Sequence, residues 1–272
     1  QKSDKKNEEL LFKIPFFLEF YYKNSKEKFS IEIKSDKEKF CFHLKNKPLF
    51  FRIDPDYECP CKVVVSDVPR HMFYEQLKRD LDPIGRIEAA LALTKNSSTE
   101  DVNVLGERLK KEKEWGVAVR VAKALGKIGG NDARDYLIKG LKNSDHKIRK
   151  GIISALGNFC HDEKAILSIR QCAKNDPSYR VEAIALQMLG KIKDKDSFVF
   201  LESSISRKSH NSIAQTAIYN ALAELEDEAS WDYLIRGAEY GAHRNSRQAA
   251  MRALAKLAQR YPYRKGEVIE HL

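Results

Sequence analysis

The sequence predicts a mainly α-helical protein in which stacked helix pairs form a superhelical solenoid, preceded by a small antiparallel β-sandwich module. Two observations predict this division. From residue 90 onwards an apolar triplet recurs at intervals of 31 to 34 residues, and internal repeats of this length are typical of stacked helical units. In the first seventy residues the hydrophobic period is two, as in half-buried strands. We expect the β-module at residues 1–68 and about six helix pairs at residues 69–272.

The recurring triplet has leucine at its centre and ends in alanine or glycine. Each copy lies toward the end of an amphipathic segment, such as the one that places Ile148, Ile152 and Leu156 on one helical face. A second amphipathic segment lies between successive triplets, so the repeating unit is two helices. The small residues are expected to let adjacent helices approach closely. The six copies are Ala90–Ala92, Ala124–Gly126, Ala155–Gly157, Met188–Gly190, Ala221–Ala223 and Ala253–Ala255.

Aspartates mark several of the expected helix starts. Asp82-Pro83 and Asp176-Pro177 each place a capping carboxylate before a proline that suits the first helical position, and Asp145 precedes another such helix. We interpret these aspartates, together with an arginine four residues after each, as a structural ladder that bridges neighbouring repeats. A ligand site is the competing hypothesis. The three arginines are Arg86, Arg149 and Arg180.

The repeat pattern of residues 72–260 resembles the short HEAT-like repeats of phycobilisome lyases. The resemblance implies a HEAT-like α-α superhelix for this part of the chain. It says little about function, because helical arrays of this kind serve many unrelated tasks.

The first seventy residues alternate apolar and polar side chains in several short stretches. Together they predict five antiparallel strands and a small sandwich. A module of this size leaves much of its surface exposed. We therefore expect it to pack against the solenoid or against another domain. The stretches are an apolar run from Leu11 to Tyr22, then Phe29–Ile33, Phe40–Leu44, Leu49–Ile53 and Val63–Val65.

Composition excludes some classes of function and favours one compartment. The net charge of +10 is compatible with nucleic-acid binding, but acidic and basic residues are well mixed along the chain. No apolar run is long enough for a membrane span, and no signal-peptide pattern is present. Five irregularly spaced cysteines are typical of a reducing compartment. Within Cys59-Pro60-Cys61 the spacing is too short for an ordinary disulfide. We expect a cytoplasmic protein that does not contact a membrane.

Two short motifs suggest a more specific relationship. Lys47–Pro55, with the sequence KPLFFRIDP, joins the β-module to the helices, and Ile14-Pro15-Phe16 opens the first strand. With the order of the two parts, these motifs resemble the C-terminal half of the alanyl-aminopeptidase family of zinc metallopeptidases. The resemblance implies a β-sandwich third domain and a helical superhelix that closes over the active site. It also implies a catalytic domain in the same polypeptide, with zinc bound there.

The chain departs from that family where the chemistry would lie. The family's zinc signature is His-Glu-x-x-His on a helix, and none of the seven histidines lies in such a motif. We therefore assign no catalytic and no metal-binding residue, and we expect no peptidase activity from this chain alone. Its first residue, Gln1, is compatible with a removed tag or with a chain that begins inside a longer polypeptide, and the resemblance favours the second interpretation.

Three functional hypotheses follow. The first is the non-catalytic region of a zinc aminopeptidase, which would wall the active-site cavity and restrict peptide access. The resemblance would then give Arg120, Arg149 and Arg180, on the triplet-bearing helices, a role in binding the substrate's terminal carboxylate. The second hypothesis is a free-standing HEAT scaffold that binds a protein along its concave face. The third, lesser hypothesis is a nucleic-acid-binding HEAT protein.

Overall fold

The computed structural model describes residues 14–35, 37–60 and 63–271. The chain separates into two compact units, the first ending at Asn96 and the second beginning at Ser97. The described residues form three strands and thirteen α-helices, which confirms the predicted mainly α-helical class with a small antiparallel sheet. The beginning of the apolar run, Leu11–Lys13, and the second cysteine of the Cys-Pro-Cys motif, Cys61, lie outside the described residues.

The elements follow one another in this order. The strands are β1 (Ile14–Tyr21), β2 (Lys26–Ile33) and β3 (Phe50–Ile53), and the helices of the first unit are α1 (Arg70–Arg79) and α2 (Pro83–Ala92). The helices of the second unit are α3 (Thr99–Lys111), α4 (Trp115–Ile128), α5 (Gly130–Gly140), α6 (His146–Leu156), α7 (Glu163–Asn175), α8 (Tyr179–Ile192), α9 (Ser197–Ser204), α10 (Ile213–Leu225), α11 (Trp231–Ala238), α12 (Arg244–Arg260) and α13 (Lys265–His271).

The sheet of the first unit has β1 at its centre, with β2 and β3 antiparallel on either side. Phe20 of β1 is buried at the middle of an aromatic cluster. Its ring centroid lies 5.7 Å from that of Phe29, 5.5 Å from that of Phe42 and 6.1 Å from that of Phe51. Aromatic pairs at these separations add to the stability that area burial alone provides.

The prediction of a five-stranded sandwich is wrong in detail, because the described residues form a single three-stranded sheet. Phe40–Leu44 and Val63–Val65 are not strands. In the first of these stretches the apolar pattern has another cause, since Phe42 packs its ring against Phe20 and Phe29 without pairing its backbone. The three valines are exposed.

The register of β3 also differs from the prediction, because its most buried residues are Phe50 and Arg52. The Arg52 guanidinium is held by the loop between α1 and α2. Its Nη2 lies 2.6 Å from Asp82 Oδ2, and its Nε lies 3.7 Å from Asp80 Oδ2. This buried ion cluster joins the sheet to the first helix pair. The domain boundary predicted at residue 68 stays a prediction, although the compact units divide later, after α2.

The second unit is built from two layers of helices. Helices α4, α6, α8, α10 and α12 each contact the next one in the series, and so do α3, α5 and α7. We call the first set the triplet-bearing layer. Consecutive helices also pair across the layers, as in an α-solenoid. Helix α13 contacts α11 and α12 and so packs against the last pair.

The leucines at the centres of the last five triplets are completely buried. The first triplet is out of register, because Leu91 is 45% exposed whereas Leu93 is completely buried. The reason lies at the helix start. Leu93 is eleven residues after its N-cap Asp82, as Leu125 is after its N-cap Glu114. The repeats therefore share the distance from the N-cap to the buried leucine, and the Ala-Leu-Ala pattern alone does not give the position of that leucine in the first repeat.

Glycine within the triplets lets helices of the same layer approach closely, as predicted. A Cβ atom at Gly190 would lie 2.5 Å from the carbonyl oxygen of Ala221 and 2.6 Å from its Cα. Because these neighbours are backbone atoms, a side chain at this position would push α8 and α10 apart.

We predict that Gly190→Ala lowers the free energy of unfolding by about 1–3 kcal/mol, the usual cost of overpacking, even though alanine is the better helix former. The control is Gly116→Ala in α4, where a Cβ meets nothing within 4 Å. That change is expected to raise the free energy of unfolding by up to about 1 kcal/mol. Urea denaturation followed by circular dichroism measures both changes. Equal effects at the two glycines would contradict the close approach.

Candidate functional site

In α2, α6 and α12 an arginine four positions after the N-cap holds the preceding loop. In α2, Arg86 Nη1 donates to the carbonyl oxygens of Asp80 and Leu81 at 2.9 and 3.1 Å. In α12, Arg247 Nε donates to the carbonyl oxygen of Ala238 at 2.8 Å. These contacts satisfy loop carbonyls that would otherwise lose hydrogen bonds on burial.

Arg149 occupies this position in α6 and also reaches the next repeat. Its Nη1 donates to the carbonyl oxygens of Asn143 and Ser144 at 2.9 and 2.8 Å. Its Nε and Nη2 each donate to the carboxylate of Asp176 at 2.8 Å. Both charged side chains are buried, and a two-pronged pair of this kind is strong and geometrically specific. The predicted ladder is confirmed at this rung.

The next rung does not follow the predicted pattern. Asp176 ends α7 instead of starting α8, which begins at Tyr179 after its N-cap Ser178. The residue four positions after that cap is Glu182, which is 2% exposed and accepts a hydrogen bond from Arg207 Nη2 at 2.5 Å. Neighbouring repeats are thus joined here by an ion pair in which helix α8 supplies the carboxylate and the loop after α9 supplies the arginine. Arg180 is left on the exposed surface.

The three arginines assigned to substrate binding therefore lie in different environments. Arg149 is fixed inside the helix array, whereas Arg120 of α4 and Arg180 of α8 are exposed. Their shared role in binding a substrate carboxylate stays a prediction. Of the three, Arg180 belongs to a groove that sequence reasoning did not identify.

This groove, which we call the basic groove, lies on the exposed face of α4, α6 and the start of α8 and has a volume of about 600 Å³. Its floor is made of small or apolar residues, and lysines and an arginine surround them. The lining residues are Trp115, Val119, Lys123, His146, Lys147, Lys150, Gly151, Ser154, Ala155, Asn158 and Arg180.

The cations of the basic groove have no counter-charge within it. Among the described residues that line it there is no carboxylate. None of Lys123, Lys147, Lys150 and Arg180 forms an ion pair in the part of the chain that the structure describes. Lys147 instead places its Nζ 4.7 Å from the centroid of the Trp115 ring, a cation–π contact of modest strength at an exposed site. The groove therefore concentrates positive charge beside an aromatic surface.

Helix packing determines the floor of the basic groove. A Cβ atom at Gly151 of α6 would lie 2.7 Å from Cγ2 of Val119 in α4, so glycine allows these helices to pack closely. Trp115, one helical turn before Val119, is 48% exposed. The groove thus offers an apolar strip to whatever binds there.

Some cations elsewhere on the triplet-bearing layer are paired. Between α10 and α12, Lys256 Nζ lies 3.0 Å from the carboxylate of Glu224 and 3.9 Å from that of Glu226. Lys193, just after α8, lies 3.4 Å from Glu226. Lys193 and Lys256 are thus neutralised by neighbouring side chains, unlike the lysines of the basic groove.

Within residues 14–35, 37–60 and 63–271, no three His, Cys, Asp or Glu side chains are grouped so that they could hold a metal ion. Over the same ranges, no helix combines the length and the apolar character that crossing a membrane requires.

Cys172 of α7 has a thiol whose pKa is raised to about 11 by burial and by the nearby Asp176 carboxylate. We predict that iodoacetamide alkylates it about tenfold more slowly, or slower still, than the exposed Cys41 at about pH 8.5, because the thiolate is the reactive form. Mass spectrometry of tryptic peptides measures both rates, and urea should make them similar. Equal rates in the folded protein would contradict the prediction.

Paired helices stacked in two layers define the class of protein as an α-solenoid of two-helix repeats. The family model for HEAT repeats matches residues 72–157, 104–176 and 166–255, which together cover more than half of the chain. The chain therefore belongs to the HEAT-repeat family, and its repeats follow a small β-module. No curated protein matches the sequence.

Proposed function

We propose that this chain is a HEAT-repeat scaffold that holds a protein partner on the exposed face of the triplet-bearing layer. The observation that carries the proposal is the basic groove. Exposed tryptophan and arginine side chains are enriched at protein interfaces, and Trp115 and Arg180 line the same groove. Unpaired charges around an apolar strip are a typical arrangement for a binding surface.

The two other hypotheses have less support. A site that tracks a nucleic-acid backbone uses cations along its length, and it would leave the apolar residues of the basic groove, such as Val119 and Ala155, uncovered. The aminopeptidase function, with its zinc, its catalytic domain and its peptide substrate, stays a prediction. The family match concerns the repeats alone, and repeats of this kind are compatible with any scaffold.

Site-specific photocrosslinking tests the proposal. A benzoylphenylalanine at Lys127, one helical turn beyond Lys123 on α4, should give a discrete adduct with a partner protein in cells. The matched control is Leu167 on α7, which is 60% exposed in the other layer and should give no such adduct. The same adduct from both positions, or none from Lys127, would contradict a partner site on the triplet-bearing layer.

A further inference from the structure

We infer that the basic groove binds an acidic segment of a partner protein, in which apolar side chains accompany aspartate or glutamate. This inference rests on the proposed scaffold function and names the chemistry of the segment that the scaffold holds. Three features of the groove carry it: the unpaired cations, the apolar floor, and the size of the groove.

The first feature is charge complementarity. Lys123 comes from α4, Lys147 and Lys150 from α6, and Arg180 from α8, so three helices bring four cations to one groove. Like charges at this density repel one another, and the lining residues include no carboxylate that would relieve the repulsion. Carboxylates of a bound segment would supply the missing counter-charge and would speed association.

The second feature is the apolar floor. Val119, Gly151 and Ala155 form a strip between the cations, and the ring of Trp115 lies at one end of α4 beside it. A phosphate backbone would use the lysines but would leave this strip uncovered. A peptide that carries both leucine-like and acidic side chains would use both parts.

The third feature is size. A volume of about 600 Å³ lies in the range of sites that enclose a small ligand, and it can accommodate a few side chains. This volume favours a short segment over a long polyanion.

The experiment uses the full chain and a fluorescein-labelled peptide in which leucines alternate with glutamates, followed by fluorescence anisotropy at low salt. Two variants change the net charge equally: Lys150→Glu in the groove, and Lys164→Glu on the exposed surface of α7. We expect Lys150→Glu to weaken binding by about tenfold or more, and Lys164→Glu to change it by less than about twofold. Added salt should weaken binding to the parent chain.

Several results would overturn the inference. They are the absence of peptide binding, an equal loss in both variants, and equal affinity for a peptide with lysine in place of glutamate. Tighter binding of an oligothymidine of similar length would overturn it in favour of nucleic acid. The scaffold proposal is tested separately. If the adduct at Lys127 forms equally well in the Lys150→Glu variant, the scaffold stands and the acidic segment does not.

Discussion

Replacing Arg149 with alanine is expected to lower the free energy of unfolding by about 3–5 kcal/mol, because it leaves a buried carboxylate without its partner. The Asp176 side chain is 5% exposed and accepts two hydrogen bonds from this guanidinium. The substitution also removes the donor to the carbonyl oxygens of Asn143 and Ser144. Urea denaturation, followed by circular dichroism, measures the loss.

Arg180→Ala is the matched control, because the same Asp-x-x-x-Arg spacing places Arg180 on the surface. Its free energy of unfolding should stay within about 0.5 kcal/mol of the parent value, as is usual for exposed positions. Asp176→Ala should cost about as much as Arg149→Ala, and the double variant should cost less than the sum of the two. A small loss of unfolding free energy for Arg149→Ala, or an equal loss for Arg180→Ala, would contradict the claim that the buried Arg149–Asp176 pair stabilises the fold.

A loss of similar size, about 3–5 kcal/mol, is expected for Arg52→Met in the first unit. Arg52 is buried between β3 and the loop that follows α1, with Asp80 and Asp82 as its ionic partners. Methionine fills much of the volume but supplies no charge, so the nearly inaccessible Asp80 carboxylate loses its cationic neighbour. Thermal and urea unfolding of the full chain measure the change.

The loss caused by Arg52→Met should depend on pH. Burial raises the pKa of Asp80, and Arg52 opposes that rise, so the variant should raise this pKa further. A carboxyl group whose folded pKa lies above its unfolded value destabilises the fold at high pH, and the penalty fades as the pH falls through the folded pKa. The deficit should therefore be smaller near about pH 5 than near about pH 8.

Arg79→Met is the control for the first unit. Arg79 forms an i,i+4 pair with Glu75 on the surface of α1, and exposed pairs of this kind contribute at most about 1 kcal/mol. If Arg52→Met were no more costly than Arg79→Met, the ion cluster would not be what joins the sheet to the first helix pair.

The repeat architecture could be predicted from the sequence because its main determinant is local. Each helix needs a leucine at a fixed distance from its start and a small residue where it meets the next helix, and these needs produce the periodic triplet. Leu125 and Gly126 show both requirements in adjacent residues. The two-helix unit follows from the same reasoning, and the small N-terminal sheet follows from its hydrophobic period of two.

Register was harder to predict, because it depends on contacts between repeats. The Asp176-Pro177 dipeptide is typical of a helix start. In the structure, however, Arg149 from the previous repeat binds the Asp176 carboxylate, and Ser178 is the N-cap of α8. A similar limit applies in the sheet. The apolar positions around β3 predict one buried face, whereas the charge partners of Arg52 bury the other.

The basic groove could not be predicted from the sequence, because its residues come from three separate helices. Trp115 and Lys147 are far apart in the chain and meet only when α4 and α6 stack. Within each helix a signal was present, since positions 115, 119 and 123 share one face, as do 147, 150, 151 and 154. The absence of partners for these lysines could be recognised only from the packed structure.

Acrylamide quenching of tryptophan fluorescence tests the groove most directly, because the chain has two tryptophans in opposite environments. Trp115 is 48% exposed in the groove, whereas Trp231 is completely buried. The leucine–glutamate peptide is expected to shield Trp115, so that quenching falls toward the level of a Trp115→Phe variant, which should itself show no response to the peptide. Unchanged quenching under saturating peptide would contradict the claim that acidic segments bind in the basic groove.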